Sequence, residues 1–107
     1  MNKAILFDPE TSESKTVEVS DFRDIQNKIG CRYFTCIQFS PTETIYLDDE
    51  GLMNGTLFGT KLHDYPSPVM GKLLFLGTTE DGNSEDTSFE PDDIMNMVDY
   101  TLERGAE

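Results

Sequence analysis

Apolar and polar positions along the chain switch between a period near two and a period near 3.6, and the switches divide it into short segments. Lys3-Ala-Ile-Leu-Phe7 is a brief apolar run stopped by Asp8-Pro9, and Lys15-Thr-Val-Glu-Val-Ser20 alternates. Together they read as a first hairpin across the polar turn at residues 10–14. Phe22, Ile25 and Ile29 then recur at helical spacing; Ser20 or Asp21 can cap them and Gly30 can stop them, which predicts a helix over 21–29. Tyr33-Phe-Thr-Cys-Ile-Gln-Phe-Ser40 carries aromatic or apolar groups on both faces and is expected to be a central strand. Ser40-Pro-Thr-Glu43 is turn chemistry, and Thr44-Ile-Tyr-Leu-Asp48 returns as the antiparallel mate.

The second half is less regular. Residues 48–55 are rich in turn formers, and residues 51–71 keep no period, with Pro66 and Pro68 opposing regular ladders, so a structured excursion is expected there. Leu73-Leu-Phe-Leu76 reads as a buried strand. Residues 79–88 hold no apolar side chain and are expected to form a mobile loop that gives nothing to a core. Pro91 then opens a run in which Ile94, Met97, Val98 and Leu102 fall on one stripe, predicting a helix over 91–104. The sum is one α+β domain over residues 1–107: a small, mostly antiparallel sheet of about five strands with two helices, the second at the C-terminus.

Charge changes this picture more than composition does. The chain has 107 residues and a net charge of −13, with 36% hydrophobic and 10% aromatic residues, enough apolar material for a core. Residues 1–78 hold 11 acids and 7 bases, whereas residues 79–107 hold 10 acids and 1 base. Such a polyanionic last quarter repels phosphate backbones and anionic membrane surfaces, so direct binding to nucleic acid or membrane is not expected without a metal bridge; either a basic protein is its complement or the acids serve only to keep the chain soluble. No apolar run approaches the roughly 20 residues of a membrane span. The amino-terminal apolar run is also too short for a signal peptide, so a cytoplasmic location is expected.

Side chains with catalytic or metal-binding chemistry are sparse. Cys31 and Cys36 within an extended segment would stand roughly 16 Å apart, beyond the limit of about 7 Å for a disulfide. They are expected to be free thiols in a reducing compartment, with Cys36 a buried structural residue. Two thiols and a single histidine, His63, make no zinc site, and His63 is expected to be an exposed residue without a catalytic partner. Gly55-Thr-Leu-Phe-Gly59-Thr-Lys61 lacks the spacing of a phosphate loop. A calcium loop starting at Asp81 would need glycine at its sixth position, where Asp86 stands. No cofactor, no metal and no enzymatic activity are expected.

One order of motifs resembles a known family. Lys3-Ala-Ile-Leu-Phe-Asp-Pro9, Val17-Glu-Val19 leading to Ile25-Gln26 and Ile29-Gly30, Asp49-Glu-Gly-Leu-Met-Asn-Gly55 and Gly71-Lys-Leu-Leu-Phe-Leu-Gly77 are similar to a family of small proteins from phages, bacteria and conjugative elements, catalogued as a domain of unknown function. The resemblance covers roughly residues 3–98. It departs where Thr56-Leu-Phe-Gly59 replaces a stretch that in the family often reads Leu-Pro-Asn-Arg. It implies a phage or mobile-element accessory protein in the bacterial host cytoplasm.

Two functional expectations follow. In the first, a non-enzymatic protein uses Glu80, Asp81, Glu85, Asp86, Asp92, Asp93 and Asp99 to occupy a basic site on a host protein, as an inhibitor of host defence or a nucleic-acid mimic. The second places a small molecule or nucleotide signal in a pocket formed by Arg32, Asp49, Glu50, Asn54 and Lys61, with Tyr65 or the strand tyrosines Tyr33 and Tyr46 as stacking rings. The plain reading of Asn54-Gly55 is a tight turn. A sheet edge could also pair two copies into a homo-oligomer.

Overall fold

The computed structural model describes residues 2–48, 58–63 and 65–103. Strands β1 (Asn2–Asp8) and β2 (Glu13–Val19) form the expected hairpin, paired from Asn2↔Val19 to Asp8↔Glu13. Helix α1 (Phe22–Ile29) follows, with Asp21 at its N-cap accepting from the Asp24 amide and Gly30 closing it in the left-handed region at φ 80°. Asp24 in turn accepts from the Ser20 amide at 3.0 Å and pairs with Lys28 at 3.3 Å. These bonds, led by the Ser20 amide, hold its carboxyl below the ordinary aspartate range even though partial burial opposes them. Of the predicted helical face, Ile25 and Ile29 are buried, whereas Phe22 is 64% exposed and meets the Phe34 ring at 5.9 Å.

Strands β3 (Phe34–Ser40) and β4 (Glu43–Asp48) form the second hairpin, and β7 (Leu73–Thr78) lies between β4 and β1. The order in the first sheet is β2-β1-β7-β4-β3 with every pairing antiparallel. This overturns the expectation of a central β3: it is an edge strand, and β7 is central. An unbroken apolar run marks a strand buried on both faces; Leu73, Leu74, Phe75 and Leu76 satisfy that, while β3 interrupts its apolar positions with Thr35, Cys36 and Gln38, all exposed.

The excursion contains more regular structure than its sequence signals. Strands β5 (Phe58–Leu62) and β6 (Val69–Met70) join β9 (Val98–Glu103) in a second sheet of order β6-β5-β9. Pro66 and Pro68 precede β6 rather than interrupting a ladder. The C-terminal helix is shorter than expected: α2 covers Pro91–Met97, and Val98 begins the strand. Val98 and Leu102 are four residues apart, a spacing shared by a helical face and by a strand of period two. The β-branched and aromatic residues Val98, Tyr100 and Thr101 and the waiting edge of β5 decide for strand.

Two cores result. Ile5, Phe7, Ile45, Leu47, Leu73 and Phe75 on one face of the first sheet pack against Leu62, Val69 and Ile94 of the second sheet and α2. Ala4, Leu6, Val19, Leu74 and Leu76 on the opposite face pack against Ile25 and Ile29 of α1. The second sheet carries one polar irregularity: Thr60 is fully buried and its hydroxyl has no hydrogen-bond partner among the described residues. An unpaired buried hydroxyl opposes folding, so Thr60→Val is expected to stabilise the chain by about 1 kcal/mol. Thermal denaturation checks this, and a lower melting temperature would show that the hydroxyl is in fact bonded.

Candidate functional site

Beyond Thr78, β7 turns back through residues 79–83 into the two-residue strand β8 (Ser84–Glu85), which pairs with it at Gly77↔Glu85 and Thr78↔Ser84. The segment expected as an open loop therefore contains a small hairpin. Its turn is closed by Thr79 N–H to Asn83 O at 2.8 Å, Gly82 N–H to Thr79 O at 2.9 Å and Asn83 N–H to Thr79 Oγ1 at 3.1 Å. Gly77 allows the close approach of β8, because a Cβ there would collide with the Asp86 carbonyl.

Three attachments hold the hairpin to the body. The first is β1, where the Thr87 amide donates to Lys3 O and the Lys3 amide to Asp86 Oδ1, both at 2.9 Å; Lys3 Nζ also pairs with Glu90 at 2.7 Å. The second is Glu43, only 2% exposed, whose carboxylate accepts from the Thr87 hydroxyl, from the Ser88 amide at 3.1 Å and from the Ser88 hydroxyl at 3.0 Å. Thr87 itself is 4% exposed, against the expectation that this stretch gives nothing to a core. Phe89 is the third, its ring meeting Phe75 at 6.1 Å and Phe39 at 6.2 Å. Sequence reasoning missed the Glu43 attachment because its partners lie 44 and 45 positions away and no local pattern links them.

The seven acidic candidates separate into groups. Glu80, Asp81 and Glu85 stand exposed on the hairpin, their side chains without a partner among the described residues, and Asp92 does the same on the first turn of α2. Asp86 is bonded to the Lys3 amide. Asp93 accepts from the Glu90 amide at 2.7 Å as half of the capping box that starts α2. Asp99 lies apart on β9, 3.7 Å from Lys61 and 3.3 Å from His63, so a local cation offsets its charge.

Of the residues expected to line a ligand pocket, Arg32, Lys61 and Tyr65 lie among the described residues. Arg32 is exposed ahead of β3 with its guanidinium 5.4 Å from the Tyr33 ring centre. Lys61 belongs to the other sheet, and Tyr65 packs against the first core. Asp49, Glu50 and Asn54 lie outside the described residues. Three cavities among the described residues have other linings: one of about 290 Å³ contains Asp8, Glu13, Lys15 and Lys72, another of about 280 Å³ contains Asp8, Asp48 and Lys72, and a third of about 230 Å³ sits beside Phe22 and Ser84.

The cysteines are free thiols, as expected, but Cys36 is exposed rather than buried. Burial, reinforced by Asp48, raises the Cys31 thiol above its usual range, which disfavours the nucleophilic thiolate. His63 is exposed, as expected. No cluster of potential metal ligands occurs among the described residues, and none of their helices is long and apolar enough to cross a membrane.

A small two-sheet α+β domain bearing an anchored acidic hairpin is thus the class that fold and site define. The chain belongs to the family described as a domain of unknown function (DUF3846), whose pattern it matches over residues 1–101. It is also 37% identical over 93 residues to the uncharacterized protein y4iR of Sinorhizobium fredii (strain NBRC 101917 / NGR234), a match covering 84% of this chain and 55% of the relative. The chain therefore spans about half the length of that relative. No solved structure matches it.

Proposed function

We propose that this protein acts by binding rather than catalysis, as an accessory protein of a phage or mobile element that works in the host cytoplasm and places its acidic hairpin in a basic site of a host protein. The observation that carries this reading is the contrast between carboxylates. Asp86, Glu90 and Glu43 are used to fix the hairpin, while Glu80, Asp81, Glu85 and Asp92 are left outward without internal cations. A rigid display of unpaired negative charge complements a surface that normally holds phosphates, which suits an inhibitor or mimic directed at a nucleic-acid-handling defence protein. Holding the charges in place also lowers the ordering cost of association.

The test is affinity capture from host lysate with the full chain as bait, in parallel with the variant E80Q/D81N/E85Q/D92N. Exposed ion pairs contribute about 0.3 to 0.5 kcal/mol each. Four together should therefore weaken capture of a basic partner by about tenfold, and raised salt should weaken the wild type similarly. A partner retained equally by both baits at low and high salt would overturn the reading.

A further inference from the structure

The outer edge of β3 is unlike the other strand edges among the described residues. At the opposite end of the first sheet, β2 carries Glu13, Lys15 and Glu18, and in the second sheet the outer strand β9 carries Asp99 and Glu103. The remaining outer strands, β6 and β8, are two residues long. Charges and brevity are the usual protections of an exposed edge against pairing with another chain. β3 has neither: its seven residues, Phe-Thr-Cys-Ile-Gln-Phe-Ser, include no charge and no proline, in a chain of net charge −13. No strand pairs with its outer side among the described residues.

The geometry points to this edge as the contact of a two-fold homodimer, in which β3 pairs antiparallel with β3 of a second copy and the two first sheets become one. The register follows from the ladder. β3 pairs regularly with β4 from Phe34 to Gln38, and the irregularity between Gln38 and Ser40 ends that straight stretch. Self-pairing of residues 34–38 centres on Cys36. It sets Thr35 opposite Ile37 of the partner subunit, Phe34 opposite Gln38 of the partner subunit, and Cys36 opposite Cys36 of the partner subunit. Each cross-strand pair is neutral, and the first joins two β-branched residues. A two-fold contact has to be complementary to itself, and this register meets that requirement with no like charges opposed.

Charge does not bar a second copy at this place. β8 lies on the β1 side of β7, because Glu43 of β4 occupies the other side of Gly77 and the Thr87 amide reaches Lys3 O. The acidic hairpin is therefore three strand spacings, roughly 14 Å, from the β3 edge, beyond the screening length of about 8 Å at physiological ionic strength. The residual repulsion is between like-charged bodies, so added salt strengthens this dimer, opposite to its effect on a basic partner held by the hairpin. The two readings therefore fail separately.

The test is sedimentation equilibrium of the full chain in reducing buffer across a range of concentrations. It is expected to show association from 12.1 kDa to twice that mass, tighter at higher salt. Cys36 is exposed, so Cys36→Lys and Cys36→Glu leave the cores untouched but set like charges face to face across the two-fold axis. Each variant alone is expected to be monomeric, and an equimolar mixture is expected to recover the dimer as a heterodimer, which excludes misfolding as the cause. In a Cys31→Ser background, mild oxidation should join two chains through Cys36. A monomer at every concentration overturns the proposal, as does a dimer that C36K leaves intact or a mixture of the two variants that stays monomeric.

Discussion

Truncating Phe75 to alanine is expected to cost about 3 to 5 kcal/mol, the usual range for emptying a fully buried phenylalanine site. Phe75 sits on the central strand with no exposed surface, opposite Ile5 of β1 and Ile45 of β4. Its ring also stands edge-to-face with Phe39 at 6.3 Å and Phe89 at 6.1 Å. Strands on both sides prevent the site from collapsing, so the void should persist. Total stabilities of single domains are about 5 to 15 kcal/mol, so the variant should lose a large fraction of its stability. Urea denaturation checks this, with Met95→Ala as a control, since Met95 is exposed on α2 and should change stability by no more than about 0.5 kcal/mol. A loss under about 1 kcal/mol for Phe75→Ala would mean that the aromatic cluster does not pack as described.

How much of this arrangement the sequence reveals depends on how far apart the interacting residues are. The β1–β2 hairpin and α1 are local objects: alternation, the Asp21 cap and the Gly30 stop all lie inside or beside the element they define, and each is found where the pattern puts it. The fates of β3 and of residues 98–103 depend on distant partners. Whether β3 is central or an edge depends on whether β7 inserts beside β4 or beyond β3, and the polar interruptions at Thr35, Cys36 and Gln38 are its local trace in β3. A spacing of four residues at Val98 and Leu102 fits helix and strand alike until β5 supplies an edge. The acidic segment shows the same division. Its charge is plain in the composition, but only the folded chain separates Asp86, Asp93 and Asp99, used internally, from Glu80, Asp81, Glu85 and Asp92, which are not.

Glu43 links fold to proposed function, and replacing it with alanine is expected to lower stability by about 2 to 3 kcal/mol while loosening residues 79–90 more than the sheet. The β4–β7 pairing at Glu43↔Gly77 is a backbone interaction and survives the change. What disappears is the acceptor for the Thr87 hydroxyl and for the Ser88 amide and hydroxyl, leaving donors at a buried position without partners. Amide hydrogen exchange should accordingly quicken at Thr79 and Thr87 while Ile5 and Leu74 in the central ladders keep their protection. Glu43→Gln keeps one oxygen acceptor and the side-chain volume and should fall between alanine and wild type. The two variants also separate two explanations of partner binding. If a basic partner responded only to net charge, Glu43→Ala, which removes one inward carboxylate, would weaken capture no more than Glu80→Gln does. If it needs the hairpin held in place, Glu43→Ala should weaken capture more than Glu80→Gln, although the carboxylate removed never faces the partner.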